Sequence, residues 1–298
     1  MVKNSNQLVD VLDGDTLDLA FNMKADLAKC VFLAQKLIFV GTWQNQVQVY
    51  DVQQDFKCIK NIKTKSGVRT LCALDEDQIV CGENDGFIDI IQISSLALNI
   101  GKRFEVIGHI YQVQPTSLRN EIVVCSYTGV HFVKVFQDEM TGMMSLHLSP
   151  VAYVTEQFVN KVIEFDHGRF LAAVWDSSKY IVIDHEQEKL GKSIMHPMAA
   201  STQARCWGME KIPGFNFSKL PFVLCRDNTG VVLVDVRNHL SYMFAKAPIK
   251  ANLFGHGDIL RVVNQDVNVP GGGQAKLVQL WTVMQYSEQA QQAAIVCV

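Results

Sequence analysis

The chain has 298 residues and a net charge of −3, with 27 lysines and arginines against 30 aspartates and glutamates. Hydrophobic residues make up 48% of it and charged residues 19%, a balance that can bury a core and is unlike that of disordered or coiled-coil chains. Such a charge offers no bulk attraction to nucleic acid or to an anionic membrane, so neither is expected as a partner.

In chain order, Met1 to Gln7 lacks the apolar run of a signal peptide, and no stretch reaches the roughly 18 apolar residues of a spanning helix. A cytoplasmic location is expected. The eight cysteines show no Cys-x-x-Cys pair. Most lie in apolar strand patterns, so buried reduced thiols are expected in place of disulfides or metal ligands.

Leu8 to Leu12 and Leu17 to Phe21 read as two short strands around Asp13-Gly14-Asp15. The aspartates 10, 13, 15 and 18 do not follow the spacing of a calcium loop, which favours a solvated turn. Strands follow near 29 to 34, 37 to 41, 46 to 52 and 56 to 63. The last of these carries Lys57, Lys60 and Lys63 and runs on to Lys65 and Arg69. Lysines of this kind guard a sheet edge against pairing, and an anion site is the alternative reading.

From 79 to 93 an apolar strand end runs into Asn84-Asp85-Gly86 and then alternates through Phe87, Ile88, Asp89, Ile90 and Ile91, as two antiparallel strands on a tight turn require. The same phrase recurs from Val40 to Val52, Val124 to Val135, Val174 to Asp184 and Leu224 to Val236. Its second strands open at Val47, Phe87, Val130, Tyr180 and Val231, at separations of 40, 43, 50 and 51 residues. A four-stranded β-propeller blade uses roughly 40 to 50 residues. Long connections with a shared Pro-Gly, at 212 to 221 and 269 to 275, separate the first two strands of the last two repeats. No long amphipathic helical pattern appears, so the chain is read as all-β.

On these residues the chain resembles the WD40-like β-propellers. Cys81 to Ile93 is similar to that family's strand, Asp-Gly turn, strand phrase, and Gly108-His109 and Gly255-His256 resemble its Gly-His signal. The family's Trp-Asp pair is replaced by Tyr50-Asp51, Ile183-Asp184 and Val234-Asp235, while Trp175-Asp176 falls at the end of the preceding strand. The resemblance implies one propeller domain over 1–298, with blades near 28–63, 68–107, 110–155, 160–195, 204–245 and 258–298. That makes six blades, with seven as the alternative. Residues 1–21 would close the ring by lending an outer strand to the last blade, which removes exposed sheet edges.

No motif points to catalysis. There is no Gly-x-Ser-x-Gly elbow and no His-Glu-x-x-His, and Gly271 to Lys276 lacks the ending of a phosphate loop. No catalytic residue, metal or cofactor is expected. Two columns stand out when the repeats are aligned. The second residue of each inner strand is Lys29, Arg69, Tyr111, Lys161, Arg205 or Arg261. The end of the next strand is Trp43, Glu83, Tyr127, Trp175, Arg226 or Trp281. Guanidinium groups bind carboxylate and phosphate through paired hydrogen bonds, and aromatics with arginine dominate protein-binding hot spots. The expected function is a non-catalytic protein-interaction module or scaffold, alone or as a domain of a larger protein, that takes an acidic or phosphorylated peptide at the channel mouth. A scaffold binding through its rim, and an enzyme or small-anion site in the channel, are the alternatives. Solvated strand starts and aromatics packed between blades would produce the same columns without any ligand.

Overall fold

Branched and aromatic residues set the strands, and the turns between them take left-handed residues, among them Gln35, Asn45, Asn120 and Gly86. Gly86 closes the 81–93 hairpin with φ of 90°, in the left-handed region that glycine adopts without cost. A Cβ at this position would also lie 2.1 Å from the carbonyl oxygen of Val106. The turn therefore requires glycine both for its conformation and for its space.

The computed structural model describes residues 28–100, 104–106, 108–154, 158–200, 205–211, 222–227 and 229–243, the side chains of Asp176 and Trp207 excepted. It describes backbone alone for the strands before Ala28 and after Met243. Among these residues there is no α-helix, only the 3-10 turns Val52–Gln54 and Trp175–Ser177. No helix among them is long and apolar enough to cross a membrane.

The chain divides into two units, Met1–Val159 and Asn160–Val298. In the first, sheet A is Val2–Ser5, Leu8–Leu12 and Leu19–Lys24, and sheet B is Ala28–Ala34, Leu37–Thr42, Gln46–Asp51 and Lys57–Lys63. Sheet C is Val68–Ala73, Gln78–Glu83 and Phe87–Gln92, with an outer strand in two pieces, Ala97–Leu98 and Phe104–Glu105, both paired to Phe87–Gln92. Sheet D is Ile110–Pro115, Glu121–Ser126, Gly129–Gln137 and Met144–Tyr153. In the second unit, sheet E is Val159–Asp166, which begins at the boundary, with Arg169–Val174, Lys179–Asp184 and Lys189–Met195. Sheet F is Cys206–Lys211, Phe222–Asp227, Gly230–Asp235 and Leu240–Lys246, and sheet G is Ile259–Val269, Gly273–Gln285 and Ala293–Cys297. Every described register is antiparallel between consecutive strands, apart from the divided outer strand of sheet C.

Sheet A differs from the expected pair of strands. It has three, paired with one another, and the third begins at Leu19, two residues after the expected start.

Cores form between consecutive sheets of each unit. Phe39, Val47 and Val49 of sheet B pack with Val68, Ile79 and Ile91 of sheet C, and Ile88 and Ile90 pack with Ile110, Ile122 and Val133 of sheet D. In the second unit Leu171, Tyr180 and Val182 pack with Val223, Val232 and Val234. The first strands of sheets B, C and D lie side by side. Gly82 permits this approach, because a Cβ there would stand 2.8 Å from Val113 and 2.9 Å from Ile110.

One irregularity recurs. Between the first two strands the register shifts at Ala28/Cys30, Val68/Thr70, Ile110/Gln112, Cys206/Gly208 and Ile259/Arg261. The extra residue at each bulge is Lys29, Arg69, Tyr111, Trp207 or Leu260. A bulge locally breaks the pairing and re-aims the residue it inserts.

Candidate functional site

In the first unit the bulges bring three of the expected residues into one row. The Arg69 guanidinium carbon lies 5.1 Å from the Trp43 ring centre and 4.7 Å from that of Tyr111, and Lys29 Nζ lies 5.6 Å from Trp43. All three are within cation–π range. Beyond Tyr111 the row continues through Phe158, with ring centres 4.2 Å apart, to Tyr127 at 5.8 Å. Trp43 and Tyr127 are 38% and 59% exposed. The row is therefore accessible, although apolar rings make up most of it.

Local structure holds Arg69 in place. Its Nε donates to Asn84 Oδ1 at 2.7 Å. Asn84 is fixed in turn, since its N–H donates to Gly67 O at 2.7 Å and its carbonyl meets His109 Nδ1 at 2.5 Å. Glu83, expected in the aromatic column, is instead fully buried and accepts from the Ser66 N–H at 2.6 Å. Ser66 Oγ accepts from Asp85 N, which closes the clamp between the turn and the incoming link. Glu83 Oε2 thus serves the clamp, and the carboxylate does not pair with Arg69. Among the described residues Arg69 has no carboxylate within ion-pair distance. Burial pulls its pKa below the ordinary arginine value and Tyr111 opposes that shift, yet the guanidinium stays charged at any physiological pH.

Trp43 is seated on backbone. A Cβ on Gly67 would lie 2.8 Å from its Cε3, so the glycine is what lets the indole come this close to the link. Tyr127 rests similarly over Gly108, where a Cβ would come within 3.1 Å of the tyrosine Cβ and φ is 85°.

In the second unit the expected residues scatter. Arg205 lies 5.1 Å from the Trp175 ring centre and repeats the stacking in smaller form. It precedes Cys206, whereas the bulge residue of sheet F is Trp207. Lys161 is half-buried near the start of sheet E. Arg261 sits one residue past its bulge and pairs through the backbone with Trp281, and both side chains lie outside the described residues. Arg226 departs furthest from the expectation, being only 1% exposed, with Nη1 donating to the Asp227 carbonyl. It stands opposite Gly208, at the register position that holds Gly41, Gly82 and Cys125 in sheets B, C and D. Trp43 and Tyr127 fall two residues later in that register and Glu83 one residue later, so the aligned column merges three structural positions. A shift of one residue exchanges the two faces of a strand.

Sequence reasoning missed His196 and Phe158. His196 and Asp227 are fully buried, with Nε2 donating to Oδ2 at 2.8 Å. The second ring nitrogen, Nδ1, accepts from the Met198 N–H at 3.0 Å, so no ring nitrogen remains to take a proton from a nucleophile. The Asp227 Oδ1 accepts from the N–H of Thr229 and of Gly230. His196–Asp227 thus clamps the link into sheet F as Ser66–Glu83 clamps the link into sheet C. Among the described residues no cluster of three His, Cys, Asp or Glu could hold a metal ion.

No protein-family model matches the chain, and no curated protein does. Among solved structures it is similar to the computationally designed Ika8 protein, at 13% identity over 95% of this chain and 79% of that one, with a TM-score of 0.59. At that identity the likeness is one of fold alone.

Proposed function

We propose that the chain is a WD40-like β-propeller acting as a non-catalytic protein-interaction module in the cytoplasm. Its first unit would bind an acidic or phosphorylated peptide segment at the row of Lys29, Trp43, Arg69 and Tyr111. Arg69 carries the reading. It is stacked between two rings, fixed through Nε by Asn84, and has no carboxylate partner among the described residues. Nε is engaged by Asn84 and Tyr111 also hydrogen-bonds the group, so the N–H donors that remain are the ones that would pair with a carboxylate or phosphate. The propeller reading draws support from the succession of four-stranded sheets with neighbouring first strands. Seven sheets among the described residues favour the seven-blade alternative, and closure of the ring belongs to the same proposal.

The test is retention of the full chain on immobilised acidic and phosphorylated peptide libraries, compared with Arg69→Glu. Loss of retention in the variant is expected, with cooperative unfolding kept and the melting temperature lowered by only a few degrees. A second reading places binding on the outer strand of sheet B, where Lys57, Lys60 and Lys63 are all exposed. Retention indifferent to Arg69→Glu but lost on neutralising those three lysines would reject the row in favour of the rim.

A further inference from the structure

The anion site ends on an aromatic ledge, and the ledge has a length. From the guanidinium carbon of Arg69, ring centres follow at 4.7 Å for Tyr111, a further 4.2 Å for Phe158 and a further 5.8 Å for Tyr127. The Tyr111 and Phe158 planes are inclined by 35°, and those of Phe158 and Tyr127 by 37°, so the three rings follow one another at similar tilts away from Arg69. Its far end is open, since Tyr127 is the most exposed ring of the row. Its position is fixed by the close approach of Gly108 and by the Tyr127 N–H, which donates to His109 O at 3.0 Å. A single oxyanion on Arg69 would leave this surface uncovered.

Resting on the reading of Arg69 as an anion site, we infer that the row recognises a two-part determinant in an extended peptide. An anionic side chain pairs with the Arg69 edge, and an apolar or aromatic side chain two or three residues away lies on the Tyr111–Phe158–Tyr127 ledge. The spacing follows from the geometry. The middle of the ledge is at most roughly 9 Å from the guanidinium carbon, and extended chain advances about 3.3 Å per residue. At a separation of two, both side chains leave the strand on the same face. Phosphoserine and glutamate share the oxyanion chemistry, and the experiment separates them.

The probes are fluorescein-labelled peptides in a Gly-Ser host. Each carries one phosphoserine or one glutamate, with a single phenylalanine two, three or seven residues away on either side, or with none. Fluorescence anisotropy is read with the full chain and with Arg69→Glu, Phe158→Ala and Tyr127→Ala, each checked for an unchanged circular dichroism spectrum. At a separation of two or three, binding about five- to tenfold tighter than at seven is expected, the size of one aromatic pair. Tyr127→Ala and Phe158→Ala should bring that peptide down to the level of the phenylalanine-free one. The two anion arms show whether the determinant is phosphorylated or simply acidic, and either result sustains the inference. Arg69-dependent binding that ignores the position of the phenylalanine would overturn the ledge and leave the anion site standing. The absence of Arg69-dependent binding in every probe would overturn the anion site and the ledge together.

Discussion

Arg69 and Arg226 are the same residue type in neighbouring register positions of two sheets, and they have opposite fates. Arg69 is the extra residue of a bulge, so its side chain leaves the ladder and stacks between Trp43 and Tyr111. Arg226 sits in an unbroken stretch of its strand, opposite the residue that follows a bulge, and is buried. In sheets B and C that position is glycine, which lets the next sheet come close. Sheet F fills it with the largest cation and reduces the opposite residue to Gly208. Backbone register, and not residue type, thus decides whether a cation joins the aromatic row or the core.

Charge reversal breaks this comparison most forcefully. Arg226→Glu would place a second carboxylate beside buried Asp227 and remove the donor to its carbonyl. Replacements of buried charges of this kind cost about 3–5 kcal/mol. Arg69→Glu lies in a partly solvated row with no ion pair to lose, and giving up its bond to Asn84 and two ring contacts should cost less, about 1–2 kcal/mol. Urea unfolding of the two variants measures both. Equal losses would show that the bulge does not separate the two arginines in energy.

Much of the fold was legible in the sequence. The alternation from 79 to 93 and its recurrences mark the second and third strands of five sheets, and the glycine of the 84–86 turn marks where the chain reverses. In the first unit, counting from the strand starts lands on Lys29, Arg69, Tyr111, Trp43 and Tyr127, which the structure places in one row. In the second unit the count fails at the strand starts, because sheet F begins at Cys206 and not at 204, and Arg261 is the third residue of the strand that begins at Ile259. Arg205 and Arg261 therefore miss the bulge positions of Trp207 and Leu260. Glu83 looks like an exposed strand end until its bond to the Ser66 N–H is seen. Phe158 precedes its strand and belongs to neither column, so only the packing of three rings reveals it.

A smaller and more local test acts on Gly67. Adding one methyl group there drives a Cβ to 2.8 Å from the Trp43 ring, and the link behind it is held by the Glu83–Ser66 clamp. Overpacking of this kind costs about 1–3 kcal/mol. Gly67→Ala should also shift the Trp43 emission, isolated by subtracting the spectrum of Trp43→Phe, and weaken anion binding as Arg69 loses one of its rings. The equivalent change at an open position, Gly142→Ala, meets only the far end of Gln137 at 4.0 Å and should leave the emission unchanged, although its φ of 68° adds local strain. A silent Gly67→Ala would mean that Trp43 is not seated on the link.

The finest contrast is between two histidines near strand ends. His196 is held by a carboxylate on one ring nitrogen and by an N–H on the other. His131 has only hydroxyls, with Nε2 at 3.1 Å from both Ser126 Oγ and Thr128 Oγ1 and no partner for Nδ1. Burial pushes its pKa below the ordinary histidine value. The unfolded chain therefore takes up a proton on this residue at a higher pH than the folded chain does, and stability is lost as the pH falls below about 6.5. His131→Gln keeps a hydrogen-bonding group without titrating. Its unfolding free energy should run parallel to that of the wild type above pH 7 and fall less steeply between pH 6.5 and 5. Curves that stay parallel to pH 5 would mean that the hydroxyls accommodate the imidazolium, and that the polar strand ends tolerate charge even without a carboxylate.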